Sequence, residues 1–232
     1  MENQVPKVIY IMGPPGAGKG TQTMLLAPEI GYEQFSTGDA FRKIAKQDSD
    51  LGRRVKETIE NGILVPPEMA AEVVIHAIRG SLEAGKGLIF DGTPRTLPEA
   101  KMVDEFFAKE GYGRPMVLYL DTDKETMVER NGHRMFCLDV DPDFPIIFKR
   151  DERKCVELNG RIGRRADDDP SKFDTRWQQF MEMTKPVVDR YEQEGILHKM
   201  EGKHSIAEVH KDIVQLINGL YHTSYSHDFT ED

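Results

Sequence analysis

The sequence predicts a three-layer α/β fold, a parallel five-stranded sheet covered by helices on both faces. Three observations carry this. Short β-branched or aromatic runs alternate with longer amphipathic stretches. The intervals between the runs are too long for hairpins, so the strands are joined by helical crossovers, which are right-handed. The first run ends in a glycine-rich segment that opens a helix, the arrangement of a P-loop. Composition agrees, since 38% hydrophobic and 31% charged residues suit a globular chain.

Taken in order, Lys7 to Met12 reads as a buried strand ending at a Gly/Pro cluster, with a helical stretch from Gln22 to Ala27 beyond it. Further strands are predicted at Tyr32 to Phe35, Gly87 to Phe90, Met116 to Leu120 and Ile196 to Met200. Amphipathic stretches lie at Met69 to Ala84, Leu97 to Glu110 and Lys124 to Arg130. Two segments fit the alternation poorly. Residues 36–67 look helical, and 133–169 are rich in charge and contain Asp141-Pro-Asp-Phe-Pro145. Long interruptions of this kind are usually functional covers. The expected division is a core of 1–35, 68–132 and 170–221, inserts at 36–67 and 133–169, and a frayed acidic tail at 222–232.

The net charge of −9 argues against nucleic acid or an anionic membrane as partner, and no apolar run approaches the roughly 18 residues of a membrane span. Met1 to Lys7 lacks a signal pattern. Cys137 and Cys155 are too few for a disulfide framework and are expected as free thiols. A cytoplasmic monomer is expected.

Gly13-Pro-Pro-Gly-Ala-Gly-Lys-Gly-Thr21 follows the first strand directly. Its glycines let successive backbone N–H groups face one centre, the helix start adds partial positive charge, and Lys19 reaches terminal phosphates. Gly16, Ala17, Gly18, Lys19, Gly20 and Thr21 are the candidate ATP cradle. Asp91-Gly-Thr-Pro-Arg-Thr96 follows another strand on the same side of the sheet. A carboxylate there suits the hydration shell of Mg²⁺, Gly92 permits close approach of a ligand, and Arg95 offers a planar fork of donors for phosphate. A turn with a capping Asp also fits these residues. Phe173, Trp177, Phe180 and Thr184 share a helix face with Arg176 at its edge, where it meets an anion or pairs with Asp167 or Asp168.

Gly20 stands where a P-loop usually has Ser or Thr, with Thr21 one place later. This arrangement resembles the adenylate kinase family, and the similarity extends to about residue 220. The resemblance implies an ATP-dependent nucleoside monophosphate kinase requiring Mg²⁺, with 36–67 as monophosphate-binding insert and 133–169 as a lid that closes over the nucleotides. It implies that Thr37 and Arg42, in Ser36-Thr-Gly-Asp-Ala-Phe-Arg42, bind the acceptor, although the residues alone also fit a helix cap and a solvated charge. It places Leu64 and Val65 beside the acceptor base, Arg130 and the loop at His204 beside the ATP base, and Arg134, Arg165 and Arg176 around the transferring group. Lys19, Arg95, Arg134, Arg165 and Arg176 are thus the catalytic set. Some members bind zinc in the lid, but Cys137 and Cys155 lack paired C-x-x-C spacing, so no lid zinc is expected.

The family typically has Phe at position 93 and Gln at position 99, where this chain has Thr93 and Glu99. Gln offers adenine both a donor and an acceptor, whereas an ionised Glu only accepts. AMP is the expected acceptor, with GMP or CMP as the enzymatic alternative and a nucleotide-binding regulator without turnover as the non-enzymatic one.

Overall fold

The computed structural model describes residues 4–61, 63–140, 144–164 and 170–226. Its centre is Val8–Met12 (β1), all five residues of which are buried. A strand packed on both faces has no polar side to show, which is why this run is continuously apolar. Alternation sorts its side chains into two cores. Val8, Tyr10 and Met12 join one cluster, while Ile9 and Ile11 join the other.

Lys19–Ile30 (α1) and Tyr32–Ser36 (β2) follow, then Thr37–Ala45 (α2), Asp50–Glu60 (α3), Pro67–Glu83 (α4) and Gly87–Asp91 (β3). Leu97–Glu110 (α5), Met116–Asp121 (β4) and Lys124–His133 (α6) complete the middle of the chain. After the second insert come Phe173–Gln179 (α8), Lys185–Gln193 (α9), Leu197–Glu201 (β8) and Ile206–Tyr221 (α10). The main sheet has the order β2-β3-β1-β4-β8, parallel throughout. Helices α4, α5 and α9 supply Val74, Ile78, Val103, Phe107 and Val187 to one face. Helices α1 and α10 supply Leu26, Ile30, Ile213 and Ile217 to the other. The three predicted layers are therefore present, and all five predicted strands form.

From β1 the chain turns toward β2 and β3, then crosses to β4 and β8 on the opposite side. The loops after β1 and β3 thus meet above the carboxyl ends of the sheet, where such folds bind ligands.

The segment 36–67 carries the helices α2 and α3, as expected, and packs Phe41 and Val55 against Ala70 of α4. Ser36 caps α2 by accepting from the Asp39 N–H, which leaves the neighbouring Thr37 hydroxyl free of capping duty. The second insert contains Met135–Leu138 (β5), Pro145–Ile146 (β6), Lys149–Glu157 (α7) and Arg161–Gly163 (β7), with strand order β6-β5-β7.

Cys137 and Cys155 are joined in a disulfide, with Cα atoms 5.6 Å apart, correcting the expectation of free thiols. Pairing of Cys137 with Ile162 across β5 and β7 turns α7 back over the small sheet, so residues 18 apart in sequence meet in its core. Gly160 makes room, because a Cβ there would overlap both sulfurs. A spacing of 18 residues carries no local signal of this contact.

The start of the tail is tied down. Asn218 donates to the Tyr225 carbonyl at 2.9 Å and accepts from the Thr223 hydroxyl and the Tyr225 N–H. The remainder of the predicted frayed segment, 227–232, lies outside the described residues.

Candidate active site

Helix α1 starts at Gly18, whose φ of 91° lies in the left-handed region and which provides no side-chain cap. Ser36, Ser49, Thr96, Asp123 and Ser205 cap five other helices. The first N–H groups of α1 are therefore left for an anion, at the end of the helix where the dipole favours one. Gly13 is required by packing: a Cβ there would lie 2.8 Å from the Leu120 carbonyl.

Lys19 donates to the Pro14 carbonyl at 2.9 Å, folding its ammonium back over the loop. Burial lowers its pKa from 10.5 to about 8, opposed by Asp91 and reinforced by the fields of Arg95, Arg176 and Arg134. Asp91, at the end of β3, packs against the glycine loop so closely that a Cβ on Gly20 would lie 3.0 Å from its carboxylate. This contact gives a reason for glycine where P-loops usually carry a hydroxyl.

Arg95 Nε donates to the Gly92 carbonyl at 2.8 Å, which aims the rest of the guanidinium into the cleft. Burial works against its charge, with Asp91 and Glu99 supporting it and Arg176 and Arg42 opposing. The cleft gathers Lys19, Arg42, Arg95 and Arg176, a set of cations suited to a polyanion.

Thr37, Arg42, Leu64, Val65, Gly92, Arg95, Glu99 and Arg176 all line this cleft with Lys19. Among the described residues the buried Thr37 hydroxyl has no hydrogen-bond partner. Arg42 pairs with Asp39. Gly16, Ala17 and Thr21 sit in and just beyond the glycine loop, Ala17 being buried. Arg134 stacks over Phe136 with its guanidinium 4.7 Å from the ring centroid. Arg130 donates to the Gly202, Lys203 and His204 carbonyls at 2.7–3.2 Å, so it braces the loop expected to border the ATP base. His204 is exposed and contributes to that contact through its backbone. Arg165, Asp167 and Asp168 lie outside the described residues.

Sequence reasoning missed part of the lining. Phe41, Ile59 and Ile63 of the insert and Ala70 of α4 add apolar lining, and Gln179 adds a polar group. Phe180–Thr184 is a π-helical turn between α8 and α9, a distortion frequent at functional sites. It shifts the helical register, so Phe180 and Thr184 line the cleft and Thr184 Oγ1 donates to the Arg95 carbonyl at 2.9 Å. The 173/177/180/184 periodicity identified that face but held no sign of the π turn.

Among the described residues no group of three or more His, Cys, Asp or Glu side chains forms a metal cage. Mg²⁺ does not need one, since it keeps several waters and binds through one or two carboxylates and substrate phosphates. Asp91, beside the glycine loop and half-buried, fits that role.

Fold and site together define a P-loop phosphotransferase. A sequence profile of the family described as adenylate kinase matches residues 11–196. The adenylate kinase of Desulforamulus reducens is 35% identical over 211 residues, covering 89% of this chain and 97% of that protein. Those of Bacillus licheniformis and Bacillus subtilis are 33% and 32% identical, each covering 91% of this chain and 98% of theirs. The chain belongs to the adenylate kinase family.

Proposed function

We propose that the chain transfers the γ-phosphoryl group of ATP to AMP, giving two ADP. The observation that carries this is the convergence of an uncapped helix start, Lys19, Arg95 and Arg176 on one cleft above the sheet. The glycine-loop amides and Lys19 hold the ATP phosphates, and Arg42 and Arg95 hold the acceptor phosphate. Arg134, Arg165 and Arg176 close over the transferring group. Thr37, Leu64, Val65 and Glu99 enclose the acceptor nucleoside, while Arg130 and the backbone at His204 border the ATP base. Asp91 would hold Mg²⁺ through its water shell, and the ion supplies neutralising charge at the phosphate oxygens.

Phosphoryl transfer of this kind requires position and charge neutralisation more than covalent help. The acceptor oxygen is already ionised near neutral pH, so no general base is needed. Water is the competing acceptor, and closure of 36–67 and 133–169 over the cleft excludes it. The cleft is built within one chain, so a monomer suffices. No described helix is long and apolar enough to cross a membrane. The charged nucleotide substrates support a cytoplasmic setting. Disulfides are rare there, but both half-cystines are fully buried and so shielded from reductant. A coupled assay for ADP across AMP, GMP, CMP and UMP tests the function; turnover of AMP is expected to dominate, and none with any acceptor would refute it.

A further inference from the structure

Helix α1 carries Lys19, Gly20 and Thr21 of the phosphate cradle, and the very next residue, Gln22, reaches across to α10. Gln22 is 2% exposed, so both ends of its amide must find partners inside the protein. Its Nε2 donates to the Ile206 carbonyl at 3.0 Å. A carbonyl only accepts, which fixes the amide nitrogen toward Ile206 and turns Oε1 to His210 Nδ1, 3.3 Å away. His210 is fully buried, and an Nδ1–H there is the donor that Oε1 requires. On the other side of the ring, Nε2 lies 2.9 Å from Glu29 Oε2, and one proton between them completes the chain. Glu29 and Gln22 belong to α1, His210 and Ile206 to α10, so the two helices are laced together twice.

Ile206 opens α10 directly after the loop Gly202 to Ser205, which leaves the carboxyl end of β8. Because β1, β4 and β8 are parallel, this loop stands at the same end of the sheet as the cradle. The Gly202 N–H donates to the Asp121 carbonyl at 2.8 Å, and Arg130 holds the Gly202, Lys203 and His204 carbonyls. Those contacts tie the loop to β4 and α6, whereas Gln22 ties it to the helix that bears the cradle. Stability alone does not call for such a chain, since apolar groups of the same shape can replace a buried hydrogen-bonded pair at little cost. A satisfied polar network does hold one relative position of the elements it joins.

We propose that Gln22, locked by His210, is a strut that sets the spacing between the phosphate cradle and the loop beside the ATP base, so that ATP spans two preset ends. The proposal rests on the ATP-dependent function proposed above and adds two positioning residues to it. Gln22 acts through the Ile206 backbone, and His210 acts through Gln22.

The test measures kcat, the KM for ATP and for AMP, and the Ki of magnesium tripolyphosphate, which fills the cradle but has no base to reach the loop. Gln22→Met keeps the side-chain length and removes both bonds. It should raise the KM for ATP about three- to tenfold, the worth of one hydrogen bond, and leave kcat, the KM for AMP and the tripolyphosphate Ki unchanged. His210→Leu should do the same, whereas His210→Asn keeps a donor near the position of Nδ1 and should match the wild type. This His210 pair gives the same contrast if Gln22→Met does not fold. A tripolyphosphate Ki that rises in step with the KM for ATP would overturn the strut, because Gln22 would then serve the cradle alone. An unchanged KM for ATP, whatever happens to Tm, would overturn it too and leave Gln22 as packing. His210→Asn as impaired as His210→Leu would overturn the role of His210. No ADP from ATP with any acceptor in the wild type would instead refute the function on which the proposal rests.

Discussion

Replacing Arg95 with methionine separates a residue that serves phosphate from one that serves the fold. Within the protein the side chain makes one neutral-acceptor hydrogen bond, to the Gly92 carbonyl, and its Nη groups make none among the described residues. Loss of that bond costs about 1 kcal/mol. Against it, removing one cation relieves Lys19, whose charge the Arg95 field opposes. The support lost from Asp91 and Glu99 is offset by release of the guanidinium's burial cost and of its repulsion of Lys19, Arg176 and Arg42, so the ligand-free protein should change by no more than about 1 kcal/mol, or roughly 2–4 °C in Tm for a chain of this size. Activity should respond quite differently. The missing fork would have given charge-assisted bonds to phosphate, and loss of such a donor typically lowers kcat by about 10²–10³. Steady-state kinetics with ATP and AMP, alongside thermal unfolding of the ligand-free protein, measure both. A loss below threefold, or a loss of activity explained by unfolding at the assay temperature, would refute the assignment.

Lys19 makes a pH prediction. Its folded pKa of about 8 lies below the ordinary 10.5, so its cost to folding is full below pH 8 and is relieved as pH rises toward 10.5. The same deprotonation removes the phosphate-binding cation, so kcat/KM for ATP should fall above about pH 8; a level profile to pH 10 would contradict it. Thr37→Val should raise the KM for AMP without destabilising the protein, because the hydroxyl it removes is buried and, among the described residues, unpartnered. A drop in Tm with unchanged KM would assign Thr37 to the fold instead. The Cys137→Ser/Cys155→Ser double variant frees an 18-residue loop, worth about 3 kcal/mol in the chain-entropy account. Amide hydrogen exchange across 135–163 should quicken while that of β1 does not; equal protection before and after would show that the bridge adds no stability. Gly160→Ala should mimic part of this loss, about 1–3 kcal/mol, by crowding both sulfurs.

The sheet and cradle were legible because their determinants are local. A strand buried on both faces must be apolar throughout, and a loop that wraps phosphate must be rich in glycine, so Val8–Met12 and Gly13 to Thr21 announce themselves in one dimension. The helical face of Phe173 and Phe180 followed from periodicity in the same way. The tertiary structure alone decided what depends on distant chain segments meeting. It joined Cys137 to Cys155, set a π turn into the helix that bears Thr184, and closed the Asn218–Tyr225 contacts over the start of the tail. It also showed that Asp91 crowds Gly20 and that Thr93 grips Glu99. Residue type and spacing record what a backbone segment needs for itself; which side chains share a lone pair, a proton or a sulfur bond is settled only when packing brings them within a few ångströms.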